Sequence, residues 1–243
     1  KTLITDFDTE ALKSFYEKAQ PFNHVIIDNF WKPEIADQLQ KEIASSKLNG
    51  DSVSVYDNPL EKKITCNHYD RFPATIYQAF TYLNSNQFLE IISSITQIKK
   101  IITDIGLNGG GIHIHPSGGK LNLHKDYSIH PKLLKEKRLN LIIYMTIDWQ
   151  EKWGGDLELW SHNEKTNQPL SLIKKIPNKF NRAILFDTTQ NSWHGLPNKL
   201  NTPKEINRQS MAVYYLTEPR EGVSDRDRAF FAPTKEQEKD KKI

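Results

Sequence analysis

Asn122-Leu-His-Lys-Asp-Tyr-Ser-Ile-His130 (NLHKDYSIH) places a histidine and an aspartate two residues apart in a strand-like run. Side chains at i and i+2 of a strand point to one face. With Leu123 and Lys125 on one side, His124 and Asp126 lie together on the other, where both reach one ion. Imidazole plus carboxylate is a borderline-hard pair, suited to Fe(II), Mn(II) or Zn(II) rather than to a soft copper site. The spacing recurs often by chance, so the pair acquires meaning only if the chain supplies a third ligand.

The candidates for that ligand are His113, His115, His130, His162 and His194. His194, in FDTTQNSWHGLP, follows the apolar run AILFD and precedes a Gly-Leu-Pro turn, the strand end at a barrel mouth where a ligand is needed. His24 and His68 read as packing or surface residues, and His162, beside charged neighbours, as solvated. Two histidines and a carboxylate occupy one face of an octahedron and leave three positions open, whereas a structural zinc site is closed by four protein ligands. The ligand count therefore predicts catalysis. A 2-oxo acid chelated at such an ion has a distal carboxylate, whose burial needs a cation. Arg208 opens the run RQSMAVYY and shares a strand face with Ser210, so the two offer a guanidinium fork and a hydroxyl. Arg182 and Lys199 are the other cations available.

Outward from this region the pattern is of short strands: 111–115, 120–124, 139–147, 156–160, 182–186 and 210–216, separated by turn signals such as Pro116-Ser-Gly-Gly119 and Trp153-Gly-Gly155. The first third reads mostly helical. Ala11, Leu12, Phe15 and Tyr16 sit at helical spacing behind a cap at Asp8 or Thr9, and Ile35, Leu39 and Ile43 follow Pro33. Between those two helices HVIIDNF (24–30) is a short strand, and a helical pattern resumes from Pro73. The expected fold class is α+β: a double-stranded β-helix (jelly-roll) core with an N-terminal helical support layer. Its expected parts are a support region at 1–100, a core at 101–220 and a charged tail at 221–243, within a single domain.

The chain has 243 residues, 37% hydrophobic and 26% charged, and a net charge of +3. That charge is too small to argue for nucleic acid, and no apolar run reaches the roughly 20 residues of a membrane span. The one cysteine, Cys66, excludes an intrachain disulfide and a thiolate zinc finger. It fits a reducing compartment, and a cytoplasmic location is expected. The basic stretches HPKLLKEKR (130–138) and KEQEKDKK (235–242) read as solvated, and Trp193 as packing.

HKD, GGDLELW, NSWHGLP and RQS, in that order, resemble the Fe(II)- and 2-oxoglutarate-dependent dioxygenases, in particular their prolyl-4-hydroxylase-like branch. The resemblance covers roughly residues 105–218, with weaker similarity around NHVIIDNFWKPEIADQL. It implies Fe(II) held by His124, Asp126 and His194. It also implies 2-oxoglutarate held by Arg208 with Ser210 assisting, and touched by the Tyr144 hydroxyl. His115 stands where relatives often carry a tyrosine, and Gly154-Gly155 resembles an architectural turn. The segment between His194 and Arg208 is longer than the family's usual spacing. The implied activity is hydroxylation of an unactivated C–H bond, with O2 and 2-oxoglutarate converted to succinate and CO2 and ascorbate as reductant. The implied substrate is a prolyl residue in a protein or peptide, or a small molecule, with no nucleic-acid or membrane partner. Residues 127–137 and 53–69 are expected near the substrate. The competing reading, a non-catalytic jelly-roll module binding metal or carbohydrate, leaves Arg208 and Ser210 without a task.

Overall fold

The computed structural model describes residues 2–45, 53–226, 228–234 and 237. The chain begins with helix α1 (Thr9–Lys18), strand β1 (His24–Ile27) and helix α2 (Pro33–Ser45). Asp8 caps α1 by accepting the Ala11 N–H at 3.0 Å. Pro33 opens α2, where its missing N–H costs nothing, and Leu39 and Ile43 are buried as their spacing predicts. A hairpin that the sequence pattern does not announce follows, β2 (Ser54–Asp57) and β3 (Glu61–Cys66), and then helices α3 (Ala74–Leu83) and α4 (Asn86–Thr96). The first third is therefore not simply helical.

The remainder is strand: β4 (Ile102–Thr103), β5 (Gly111–His115), β6 (Lys120–Lys125), β7 (Glu136–Tyr144), β8 (Leu157–Asn163), β9 (Gln168–Ile176), β10 (Ala183–Asp187), β11 (Trp193–Leu196), β12 (Arg208–Thr217) and β13 (Phe230–Phe231). Relative to the sequence expectation, β7 begins three residues earlier and ends at Tyr144, short of Ile147. The main path of strands runs β1-β10-β7-β12-β5-β3-β6-β11-β8-β9. It curls so that its two halves face each other. Tyr144 on β7, Leu157 and Leu159 on β8, Ile176 on β9, and Ile184 and Phe186 on β10 pack into one apolar cluster. The Phe186 ring lies 4.8 Å from that of His194. This is the double-stranded β-helix of an α+β protein.

Strand alternation divides β7 and β12 into two faces. Leu139, Leu141 and Ile143, with Met211, Val213 and Tyr215, join Leu39, Ile76, Phe80, Phe88 and Ile92 of the helices in the main core. Burying side chains of this size contributes about 1.5–3 kcal/mol each, so the helices hold this sheet from outside. The opposite face carries Asn140, Ile142, Arg208, Ser210, Ala212 and Tyr214, all lining a cleft. Within the stretch expected as a tail, β13 pairs with β6, Phe231 opposite His124. The charged group 235–242 lies, apart from Gln237, outside the described residues.

Candidate metal and co-substrate site

His124 and His194 face each other across the β6–β11 pair, in direct register. Asp126 follows the last residue of β6. His124 Nε2 lies 3.6 Å from Asp126 Oδ1, and His194 Nε2 lies 3.7 Å from Asp126 Oδ2. One ligand atom from each of the three buried residues falls within 4.8 Å of the others. The imidazoles are oriented from behind: His124 Nδ1 bonds the Asn122 carbonyl at 2.9 Å and His194 Nδ1 the Ser192 carbonyl at 3.0 Å. A carbonyl oxygen only accepts, so each Nδ1 carries the proton and each Nε2 keeps its lone pair for an ion. Burial pushes the His194 imidazole down to about 4, which keeps it neutral. Gly195 permits the close approach of the two strands, because a Cβ there would sit 2.7 Å from the Asn122 carbonyl oxygen and 2.8 Å from that of Leu121.

A third group shares Asp126. Lys137 is almost wholly buried, and its Nζ lies 3.5 Å from Asp126 Oδ1. The ammonium is sandwiched between aromatic rings, 3.0 Å from the Tyr214 centroid and 3.8 Å from that of Tyr127. A bulge puts it there. Leu216 pairs with Lys137 and Tyr215 with Leu139, so Arg138 is an extra residue on β7. Lys137 is thereby turned onto the cleft face of Asn140. Burial pushes the ammonium down to about 8, so it remains charged at neutral pH. Burial alone raises the Asp126 carboxyl, but the Lys137 ammonium leads the opposing influences, and the group is held well below the usual carboxylate range. Asn140 Nδ2 adds a long contact of 3.4 Å to Asp126 Oδ2.

Further along β7 and β12 is a second polar group. Arg208, only 2% exposed, donates from Nε to the Gly155 carbonyl at 3.0 Å, and its guanidinium carbon lies 4.7 Å from the Tyr144 ring centroid. Among the described residues no carboxylate lies within 4.0 Å of it. Beside it, both ring nitrogens of His115 are buried without a hydrogen-bond partner among the described residues, and the buried Tyr144 hydroxyl lies against the guanidinium. Arg208 pairs with His115 across β5–β12, and Ser210 with Tyr144 across β7–β12. A buried cation with no carboxylate partner among the described residues, beside a tyrosine hydroxyl and two unpartnered imidazole nitrogens, is the chemistry of a carboxylate receptor. Gly154-Gly155, read as architecture alone, thus also orients Arg208. Gly155 sits at φ +81°, and a Cβ there would lie 2.8 Å from Leu200 and 3.1 Å from Arg208 Cδ.

Both groups open into one cleft of about 720 Å³, whose mouth is formed by Tyr56, Asn58, Glu61 and Lys63 of the β2–β3 hairpin and by Arg228, Ala229 and Phe231. Phe231 lies over the His124 ring at 5.2 Å, and Arg226 donates to the Asp126 carbonyl at 3.1 Å. The hairpin falls within the stretch 53–69 expected near a substrate. Of residues 127–137, Tyr127 and Lys137 line the cleft, while His130 turns away to Asp104 at 3.4 Å. The stretch 130–138 is therefore exposed only at 131–134: His130, Glu136 and Lys137 are buried. His162 is not solvated either, since Trp193 Nε1 donates to its Nδ1 at 2.9 Å. Trp193 is packed, fully buried. The fallback cations are engaged elsewhere: Arg182 forms an ion pair with Asp28 at 2.6 Å, and Lys199 is exposed outside the cleft. His113 lines the cleft but stands apart from the three-residue cluster. No described helix is long and apolar enough to cross a membrane.

Residues 110–216 match the family model of the 2OG-Fe(II) oxygenase superfamily. His115, His124, Asp126, Tyr144, His194, Arg208 and Ser210 all lie in that interval. The fold is similar to a prolyl hydroxylase from Trichoplax adhaerens in complex with a hypoxia inducible factor peptide fragment, with 16% identity over 86% of this chain and 90% of that one and a TM-score of 0.59. It is similar to a prolyl-4-hydroxylase from Pseudomonas putida, with 13% identity, 85% and 99% covered and a TM-score of 0.58. HygX from Streptomyces hygroscopicus, with nickel and 2-oxoglutarate bound, gives 12% identity, 94% and 96% covered and 0.55. Likeness at these identities is likeness of fold. Together with the family match and the His-Asp-His cluster, it supports a 2-oxoglutarate-dependent dioxygenase.

Proposed function

We propose that this chain, whose residues 110–216 belong to the 2OG-Fe(II) oxygenase superfamily, hydroxylates an unactivated C–H bond, with a prolyl residue of a protein or peptide as substrate. The observation that carries the reading is one cleft with two complementary ends: a His-Asp-His cluster within 4.8 Å and a buried, unanswered guanidinium. His124, Asp126 and His194 would hold Fe(II) from one side, their lone pairs already aimed by backbone carbonyls. The donor set of two imidazoles and one carboxylate suits that ion. Arg208, fixed through Nε to Gly155, keeps its terminal N–H groups for the distal carboxylate of 2-oxoglutarate, with Ser210, Tyr144 and His115 completing the receptor. The chemistry that Fe(II) supplies when bound is O2 activation, in which 2-oxoglutarate leaves as succinate and CO2 and the substrate gains one oxygen atom.

The chain's own part is placement. The receptor fixes the co-substrate's orientation, the buried walls exclude water, and the hairpin β2–β3 and residues 228–231 frame the approach to the ion. 2-Oxoglutarate and the substrate together supply the electrons of each coupled turnover, and ascorbate would serve to return iron oxidised in uncoupled turnover to Fe(II). A prolyl substrate agrees with the hydroxylases of similar fold, although a fold alone does not fix a substrate. The test is succinate formation by purified protein with Fe(II), ascorbate, O2 and 2-oxoglutarate, with Asp126→Ala as control, followed by mass spectrometry of proline-containing peptides for a gain of one oxygen. Absence of both succinate and anaerobic 2-oxoglutarate binding in the presence of Mn(II) would favour a non-catalytic module.

A further inference from the structure

We infer that Lys137 is a charge-balancing residue that couples the two ends of the cleft: its buried ammonium opposes a divalent ion bound alone and favours one accompanied by a dicarboxylate. The inference rests on the function proposed above. Its structural basis is that Lys137 and the ion share one carboxylate. Lys137 Nζ stands 3.5 Å from Asp126 Oδ1, between two aromatic rings, with Asp104 as a weaker and more distant anion. Without metal, the pair satisfies itself, and a buried carboxylate is stable beside a buried cation.

Adding the ion changes that balance. Glu61 and Lys63 at the cleft mouth neutralise each other at 2.9 Å. The buried charges lining the cleft are then Asp126, Lys137 and Arg208, the last without a carboxylate partner among the described residues, while Asp104 behind the lining pairs with His130 and is common to every state compared. With a divalent ion these groups carry three net positive charges in a site of low dielectric, and a 2-oxoglutarate dianion reduces this to one. If Lys137 is neutral the corresponding values are two and zero. Lys137 therefore weakens binding of the bare ion and strengthens binding of the dianion to the loaded site. In its absence the Asp126 carboxylate also loses its buried partner, a defect that a cation relieves. Both effects tighten the ion when Lys137 is removed, and the first also weakens the dianion.

The experiment measures anaerobic Mn(II) binding by electron paramagnetic resonance, and 2-oxoglutarate binding to the Mn(II)-loaded protein by calorimetry, at pH 7. It compares the wild type with Lys137→Met and Lys137→Arg. The expected result for Lys137→Met is Mn(II) bound about threefold tighter or more and 2-oxoglutarate bound about fivefold weaker or more, the lower end of ordinary site-to-site coupling. Lys137→Arg stays near wild type. A merely structural lysine weakens both affinities when removed, so loss of both, change in neither, or change in one alone overturns the inference. Lys137→Gln, which keeps a polar end, takes the place of the methionine variant if that protein does not fold. A wild type that binds neither Mn(II) nor 2-oxoglutarate overturns the proposed function, and this inference with it. A wild type that binds both, beside a variant that matches it, overturns this inference alone.

Discussion

Arg208 shows how single side chains carry the reading. Its Nε is committed to the Gly155 carbonyl and no carboxylate of the described residues forms an ion pair with it, so truncation removes charge-assisted hydrogen bonds to a bound carboxylate worth about 1.5–3 kcal/mol. Arg208→Ala is expected to weaken 2-oxoglutarate binding by about tenfold to a hundredfold, with Mn(II) bound no more weakly than in the wild type when 2-oxoglutarate is absent. Arg208→Lys does not restore it, because a point charge cannot reproduce the fork. Calorimetry on the Mn(II)-loaded protein checks this, and normal affinity in Arg208→Ala would move the assignment to another cation. At the ligands, His124→Ala and Asp126→Ala are each expected to abolish metal binding, read by the loss of a Mn(II) isotherm. These residues were legible because a strand's two-residue period turns His-x-Asp and Arg-x-Ser into shared faces. Lys137 was not legible. Its direction is set by the extra residue Arg138, and a bulge has no signature in the run EKRLNLIIY. The tie of Arg208 to Gly155 was equally hidden, since it is made by a backbone carbonyl 53 residues away.

Among the elements, the β6–β11 pair does most to place the metal ligands, and its tolerance for change is narrow. A methyl group at Gly195 would press within 2.8 Å of two carbonyl oxygens of β6. Gly195→Ala is therefore expected to push β11 outward, separate His194 from His124 and weaken Mn(II) binding by about tenfold or more, with a lower melting temperature. An unchanged isotherm would show that the strands relax without moving the histidines. The strands at β5, β6, β7, β8, β10 and β12 could be read because they are buried and apolar, with turn residues between them. The hairpin β2–β3 and strand β9 could not. β2 is exposed throughout, as are most of the residues of β9, which pairs only with β8 at the end of the strand path. Exposure on both faces erases the alternation that marks a strand. The helices were legible for the opposite reason, having one buried face, a cap at Asp8 and a proline start at Pro33.

For the molecule as a whole, the same burial that builds the site sets its response to acid. Three histidines outside the metal cluster sit where burial makes protonation costly. Burial pushes His113 down to about 3, drives His115 well below its ordinary value with help from the Arg208 charge, and lowers His24 as well. In the unfolded chain each regains a value near 6.5. Below that pH the unfolded state takes up protons that the folded state refuses. Stability is therefore fully present above about 6.5 and falls as the pH drops toward 3. Each such proton costs about 1.4 kcal/mol per pH unit once the window is entered. None of these three histidines is a proposed ligand, so the effect persists when metal is stripped by a chelator. The melting temperature of chelated protein is expected to fall steadily between pH 6.5 and 4, and His113→Gln, which removes one of these groups, to make that fall shallower. A melting temperature flat across the interval would mean that the interior admits a charged imidazole, in which case the cleft is wetter than its buried, unpartnered nitrogens imply.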